Sequence, residues 1–348
     1  VARFICDVLN PDGTPFEADS RYILKEAIKE ANNLGYTFNV GPESEFFLFD
    51  TSETGEPTTC SSEKGGFFDI GPVDSGENAR RDMVLSLSEM GFEVETSYHD
   101  NEVAQHEIVF KYDKGLRTAD NIMTYKLAVR TVAKRHGLHA TFMPKPNFGH
   151  KGSGMILNMS LYKDGKNAFR DDTREDGMSE DAYHFMAGIM EHIKGMTLIN
   201  NPIINSYKRL VPGYYAPVNI SWSRQNRAPL IRLTKAGRLG ARVVLRSPDG
   251  ACNPYLVLAA CLRAGLEGIK NKMQPPVSED EVEEAPMKFE VLPRTLLEAV
   301  NEFEKDSFLQ SVFGKQISKT FINGKKEEWN DFCMQVTAWE VDKYLDRI

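Results

Sequence analysis

Apolar residues recur at helical spacing through residues 19–34, and the run stops at Gly35, a residue suited to the left-handed position that ends a helix. Residues 77–90 follow Ser75 and stop at Gly91, and residues 116–136 stop at Gly137 in the same way. Ser179 opens another helix, with Glu180 and Asp181 in its first turn where they complement the helix dipole. Asn253-Pro254 is a cap followed by proline at the first helical position, ahead of residues 256–269. Between these lie short strand-like runs at 91–97, 104–110, 139–143, 154–161, 218–222, 230–233 and 242–245. Strands and helices mix without strict β-α-β alternation, which predicts an α+β fold and not a doubly wound parallel sheet. Residues 271–288, with Gln274-Pro275-Pro276 and a cluster of acids, read as an exposed loop. From Thr295 onward the chain is expected to be helical, and Trp329, Phe332, Val336 and Trp339 form a stripe read as core or subunit packing.

Two of the apolar runs carry carboxylates. In Gly41-Pro42-Glu43-Ser44-Glu45-Phe46-Phe47-Leu48-Phe49, Glu43 and Glu45 are two positions apart and so share one face of a strand. Like charges that close are costly in a low-dielectric interior unless partnered. Either a divalent cation joins them, since hard cations take oxygen ligands, or the strand is an edge with both groups in water. Glu107 sits just before the apolar end of the run 98–110, among polar groups that could orient a ligand. The glycines of the run 149–160 suit close backbone approach. Arg242, Val244 and Arg246 alternate onto one strand face.

Composition narrows the choices. The 348 residues are 41% hydrophobic, enough for a large core. A net charge of −8 disfavours nucleic acid as a partner, because phosphate backbones need a basic stripe. The seven histidines show no zinc-type spacing, and the five dispersed cysteines read as free thiols. No apolar run approaches about 18 residues, so no membrane span is expected, and with no visible signal peptide the expected location is cytoplasmic.

The runs 41–49, 98–110, 149–160, 208–219 and 242–255, taken in this order, resemble glutamine synthetase, specifically the bacterial type I branch. The resemblance extends from Ile5-Cys6-Asp7 to Trp339-Glu340-Val341-Asp342-Lys343-Tyr344. It implies a catalytic domain over residues 1–348, with a helical part from about 290, built on a curved, largely antiparallel sheet flanked by helices. The family's small N-terminal β-grasp-like domain is expected to be absent from this chain, which begins at Val1. The resemblance also implies a homo-oligomeric ring of six or twelve subunits. The implied reaction is ATP-dependent ligation of an amine, ammonia in the family, to the γ-carboxylate of glutamate through γ-glutamyl phosphate.

The family uses two divalent cations, Mg²⁺ or Mn²⁺. For the first, Glu45 and Glu107 match ligands, and Asp100 falls at the third position, where the family has Glu; Glu102 fills it instead if the loop carries a small gap. For the second, Glu43 matches, but Ile156 stands where a His is expected and Val244 where a Glu is expected. Arg209 and Arg246, with Gly152, match the groups that hold glutamate. Arg227 and Arg232 match the catalytic arginines and, with Arg242, would face the phosphates. Tyr112 and Ser160 match the lining of the nucleotide pocket. Any one of these arginines also has a plain alternative as a structural ion-pair partner. Tyr215 replaces a Glu that helps accept the proton of ammonium, and a phenol is a poor base at neutral pH. Asn158 replaces a His near the nucleotide, and Lys151 stands where Asn is common. These departures lead to the expectation of one sound cation site, a second degraded one, and impaired or altered ligase activity. The alternatives are a γ-glutamyl ligase for a larger amine and a non-catalytic binding or regulatory protein.

Overall fold

The structure, a computed structural model, describes all residues except 1, 236–239 and 282–288. Its elements begin with α1 (Ser20–Asn33), β1 (Thr37–Asp50), α2 (Glu77–Glu89), β2 (Val94–His99), β3 (Gln105–Phe110), β4 (Asp113–Lys114), α3 (Gly115–Arg135) and β5 (Leu138–Thr141). They continue with β6 (Met155–Lys163), β7 (Lys166–Asn167), α4 (Glu180–Asn200), α5 (Ser206–Arg209), β8 (Trp222–Ser223), β9 (Ile231–Thr234), β10 (Arg242–Leu245), α6 (Pro254–Asn271), α7 (Leu296–Lys305), α8 (Ser307–Cys333) and α9 (Ala338–Tyr344). The sheet runs β2-β3-β1-β6-β10-β9-β8, with β4 and β5 also paired to β1 and β7 to β6. All of these pairings are antiparallel except β8 with β9. The expected α+β class, largely antiparallel with flanking helices, is what the chain adopts.

Long β1 is the spine. Its even positions Phe38, Val40, Phe46 and Leu48 are buried in the main core, whereas Phe47 and Phe49 form a separate small cluster with Ala104 on the other face. Glu43 and Glu45 share the odd phase, so the pleat that buries Phe46 necessarily turns them to the opposite side. Tyr125 of α3 anchors the spine from beneath: its ring is fully buried and its hydroxyl donates to the Ser44 carbonyl at 3.0 Å.

Ser179 and Asn253 cap helices as expected, whereas α2 starts after Gly76 with no side-chain cap from Ser75. Asp19 accepts from the Arg21 N–H, Ser179 from Ala182, and Asn253 from Tyr255 and Leu256. The expected strand at 218–222 is reduced to Trp222–Ser223, with Asn219 making only an isolated bridge to Val291. Thr337 forms a capping box that starts a separate helix after Cys333. The aromatic stripe is therefore split: Trp329 packs against the core, but Val336 and Trp339 are 77% and 62% exposed. Of the expected loop 271–288, residues 282–288 lie outside the described residues. Within the described part, Glu279 and Asp280 accept hydrogen bonds from Ser221 and Ser223, so these acids brace the β8 segment.

Helices α4 and α6 meet backbone to backbone at Gly188 and Gly268. A Cβ at Gly188 would fall 2.0 Å from the Ala264 carbonyl oxygen, and one at Gly268 would fall 2.0 Å from that of His184. Backbone cannot yield as a side chain does, so Gly188→Ala must push the helices apart. We expect it to cost about 1–3 kcal/mol, the usual penalty for overpacking, seen as a lower Tm by calorimetry; an unchanged Tm would show that the crossing is looser than described.

Candidate active site

Strand register assembles the site. Glu45 on β1 is paired with Glu107 on β3, and Glu107 with Tyr98 on β2. Glu43 is paired with Ile156 on β6, Asn158 with Val244 on β10, and Val244 with Arg232 on β9. Directly paired residues project to the same face, so one face of the sheet carries the carboxylates at one end and the arginines at the other.

Glu45, Asp100 and Glu107 offer oxygens that lie within 4.8 Å of one another. Glu45 Oε2 accepts from the Gly154 N–H at 2.7 Å and from Gln105 Nε2 at 3.1 Å. Glu107 Oε2 accepts from the Tyr98 hydroxyl at 2.7 Å, while its buried Oε1 has no hydrogen-bond partner among the described residues. Asp100 Oδ1 accepts from both the backbone and the side-chain amide of Asn101 at 2.7 Å. Glu102 turns away and accepts from the Lys151 N–H at 2.8 Å and from His150. The geometry thus chooses Asp100 over Glu102 as the third member.

Burial and mutual repulsion push these carboxyls up. Burial, then Asp100, raises Glu45 to about 7, opposed by the Gly154 N–H and the guanidinium groups of Arg209 and Arg246. Burial, then Glu45 and Glu43, raises Glu107 well above the ordinary carboxylate range, and burial raises Asp100. Three converging carboxyls, one with an unpartnered buried oxygen, fit a divalent cation, which would replace the protons they otherwise need.

The second expected set does not fit a cation. Glu43 Oε1 accepts from Asn158 Nδ2 at 2.9 Å, and Asn158 Oδ1 in turn accepts from Arg242 Nε at 2.9 Å. Val244 is buried and, like Ile156, brings no donor atom. An amide here holds one oxygen of the single remaining carboxylate and links it to a guanidinium.

A cavity of about 130 Å³ unites much of the predicted set: Glu45, Asp100, Gly152, Ile156, Arg209 and Arg246 all line it. Gly152 is required by packing, since a Cβ there would fall 2.1 Å from the Pro144 carbonyl oxygen. Arg209 is buried, donates to the Ser247 carbonyl at 2.9 Å, and faces Glu45 and Asp249. Arg246 donates to the Ala228 carbonyl at 2.6 Å. Arg232 presents a buried Nε with no hydrogen-bond partner among the described residues, and exposed Arg227 lies near enough to repel it. Desolvation weakens the hold of Arg232, Arg242 and Arg246 on their protons.

Tyr112 lines a separate cleft of about 380 Å³ with Thr37, Asn39 and Tyr162, and Ser160 pairs with Asn39 at its edge. A larger cleft of about 790 Å³, bordered by Arg174, Asp176, Arg224 and Lys235, contains none of the predicted residues. At the mouth of the small cavity, Lys151 Nζ lies 4.0 Å from the ring centre of Tyr215, which has a positive φ of 63°. Sequence reasoning missed Tyr98 and Gln105. Gln105 was readable, because it shares the phase of Glu107; Tyr98 depended on hairpin register.

Comparison with known proteins shows the family. The glutamine synthetase catalytic-domain model matches residues 17–344. A glutamine synthetase of Clostridium saccharobutylicum is 53% identical over 354 residues, covering 100% of this chain and 80% of that one. One from Staphylococcus aureus strain MW2 is 49% identical over 353 residues, covering 99% and 79%. Among solved structures, a GmaS/ADP complex shares 34% identity with a TM-score of 0.87, covering 96% of this chain and 79% of that one. The Plasmodium falciparum glutamine synthetase shares 27% identity with a TM-score of 0.88, covering 97% and 81%. The chain belongs to the glutamine synthetase family, whose members carry out ATP-dependent ligation. No described helix is long and apolar enough to cross a membrane.

The raised carboxyls set a pH dependence. An ordinary Glu titrates near 4.5 and folded Glu45 near 7, so between those values the folded chain holds a proton that the unfolded chain lacks. Stability from this group is therefore present at low pH and lost as pH rises through about 7. Melts of metal-free protein at pH 5 and 7.5 should show a fall in Tm that is smaller in Glu45→Gln and smaller again with saturating Mn²⁺, which binds the ionised ligands. An identical slope in all three would contradict the arrangement.

Proposed function

We propose that this chain is an ATP-dependent carboxylate–amine ligase acting on glutamate, with one divalent-cation site of its own and altered or reduced activity with ammonia. The observation that carries the reading is the contrast on one sheet face: Glu45, Asp100 and Glu107 converge, whereas Glu43 is satisfied by Asn158 beside Ile156 and Val244. In this reading Arg209 and Arg246, with the backbone at Gly152, hold the carboxylates of glutamate. Arg227, Arg232 and Arg242 neutralise the phosphates, and Tyr112 and Ser160 flank the nucleotide. Mg²⁺ or Mn²⁺ at the three carboxylates would polarise and orient the substrate carboxylate. Phosphoryl transfer gains most from preorganised positive charge, and here the arginines supply a larger share of it. Loss of a metal clamp removes several kcal/mol of transition-state stabilisation, hence the expected reduction.

A larger amine as acceptor is the second reading, favoured by Tyr214 and Tyr215 lining the cavity where the family places an acidic flap. The subunit is proposed to assemble into a homo-oligomeric ring of six or twelve, with exposed Val336 and Trp339 among the contacts; light scattering that finds only monomer at micromolar concentration would count against this.

A coupled ADP-release assay with glutamate and a series of amines tests the activity. We expect glutamate-dependent turnover that rises at least tenfold when Ile156→His and Val244→Glu are combined, and little when either is made alone, because ligands of one site act as a unit. Turnover with ammonia that neither the pair nor the singles improve would mean the missing ligands are not limiting. Titration calorimetry without nucleotide should give one Mn²⁺ per chain; two equivalent tight sites would overturn the reading.

A further inference from the structure

Beneath the cation cluster, on the core side of the β2–β3 hairpin, lies a second group of titratable side chains that the ligase reading does not use. Glu63, Asp74, His99 and His106 are all buried and bring ligand-type atoms within 4.8 Å of one another. The donor types would suit a metal, but Arg80 is already among them. Its Nη1 lies 2.8 Å from His106 Nδ1 and its Nη2 lies 2.8 Å from Asp74 Oδ2. A buried guanidinium excludes a dication from the same space and already neutralises one carboxylate.

Glu63 is the hub of this group. Its Oε1 accepts from the Ala104 N–H at 2.5 Å and faces His99 Nε2 at 2.6 Å. Its Oε2 accepts from the Gly76 N–H at 3.3 Å and lies 3.7 Å from His106 Nε2, which has no hydrogen-bond partner among the described residues. The other nitrogen of His99 faces the Asp100 carbonyl at 2.8 Å. Both ring nitrogens of His99 thus meet oxygens, and the ring links Glu63 to the backbone of Asp100.

These contacts grip the two ends of the loop 100–104. Ala104 is held directly and Asp100 through His99. Ala104 sits at φ 64°, a conformation disfavoured for a residue with a Cβ, and it is fully buried. A strained turn persists only when its surroundings over-determine it, and the Glu63 carboxylate on its N–H is such a constraint. The clamp is packed shut from the segment that supplies Glu63: a Cβ at Gly65 would fall 2.8 Å from His99 Nε2, and one at Gly76 would fall 2.6 Å from the His106 ring.

We propose that Glu63 is a positioning residue for the cation site, fixing the loop that presents Asp100 to Glu45 and Glu107. The proposal rests on the reading of those three carboxylates as a cation site. Groups behind metal ligands typically matter 10–100-fold for metal affinity. The experiment uses the full chain without nucleotide, comparing Glu63→Gln, His99→Gln and Asp74→Asn by Mn²⁺ calorimetry, thermal melting and hydrogen exchange of the Ala104 amide. All three should lower Tm. Glu63→Gln and His99→Gln should weaken Mn²⁺ at least tenfold, and Glu63→Gln should also deprotect Ala104 in metal-free protein. Asp74→Asn, which does not touch the loop, should change neither. Should one variant fail to fold, the other still reports through Mn²⁺. Native Mn²⁺ affinity in Glu63→Gln or His99→Gln overturns the proposal. If the unmodified chain binds no Mn²⁺, the cation-site reading fails first, and unchanged protection of Ala104 in Glu63→Gln then overturns the clamp as well.

Discussion

Two carboxylates face each other across hydrogen-bonded strands and cannot move apart. Glu45 and Glu107 are locked in register by the ladder of β1 and β3, and that ladder is held by the packing of Phe46, Ile108 and Tyr125 beneath it. The repulsion must be met locally. The chain meets it with the Tyr98 hydroxyl, the Gly154 N–H, Gln105 and the fields of Arg209 and Arg246, and still leaves Glu107 with an oxygen that has no hydrogen-bond partner among the described residues. Much of the surrounding architecture follows from this. Gly152 lets the backbone approach Pro144, and Arg209 fills the space beside Gly154, where a Cβ would come within 2.4 Å of its guanidinium.

The same sheet face resolves its other carboxylate in a different way. Glu43 has no acidic partner opposite it, only Ile156, and a neutral amide ties it to Arg242. Three desolvated arginines, at 232, 242 and 246, then dominate this end of the site. The face therefore grades from a carboxylate end that calls for a cation to an arginine end that calls for an anion. This polarity suits a reaction that joins a phosphate donor to a carboxylate.

Much of this was readable from the residues. The two-residue spacing of Glu43 and Glu45 set their common face, because strand period is fixed. Arg242, Val244 and Arg246 were aligned by the same rule, and the helix caps at Ser179 and Asn253 marked true starts. Ungapped alignment favoured Asp100 over Glu102, but the contact of the strained loop with Glu63, 37 positions before Asp100 in the chain, was not readable. The bracing by Glu279 and Asp280 was hidden for a similar reason, since their serine partners lie more than 50 positions away. The aromatic stripe spans two helices, because periodicity continued past a helix end that only the Thr337 capping box revealed.

Anomalous diffraction from crystals grown with Mn²⁺ and no nucleotide tests the central claim most directly. The account predicts one strong peak per chain, within coordination distance of Glu45, Asp100 and Glu107. A peak of equal strength beside Glu43 and Val244, or a single peak held by Glu102 in place of Asp100, would contradict it.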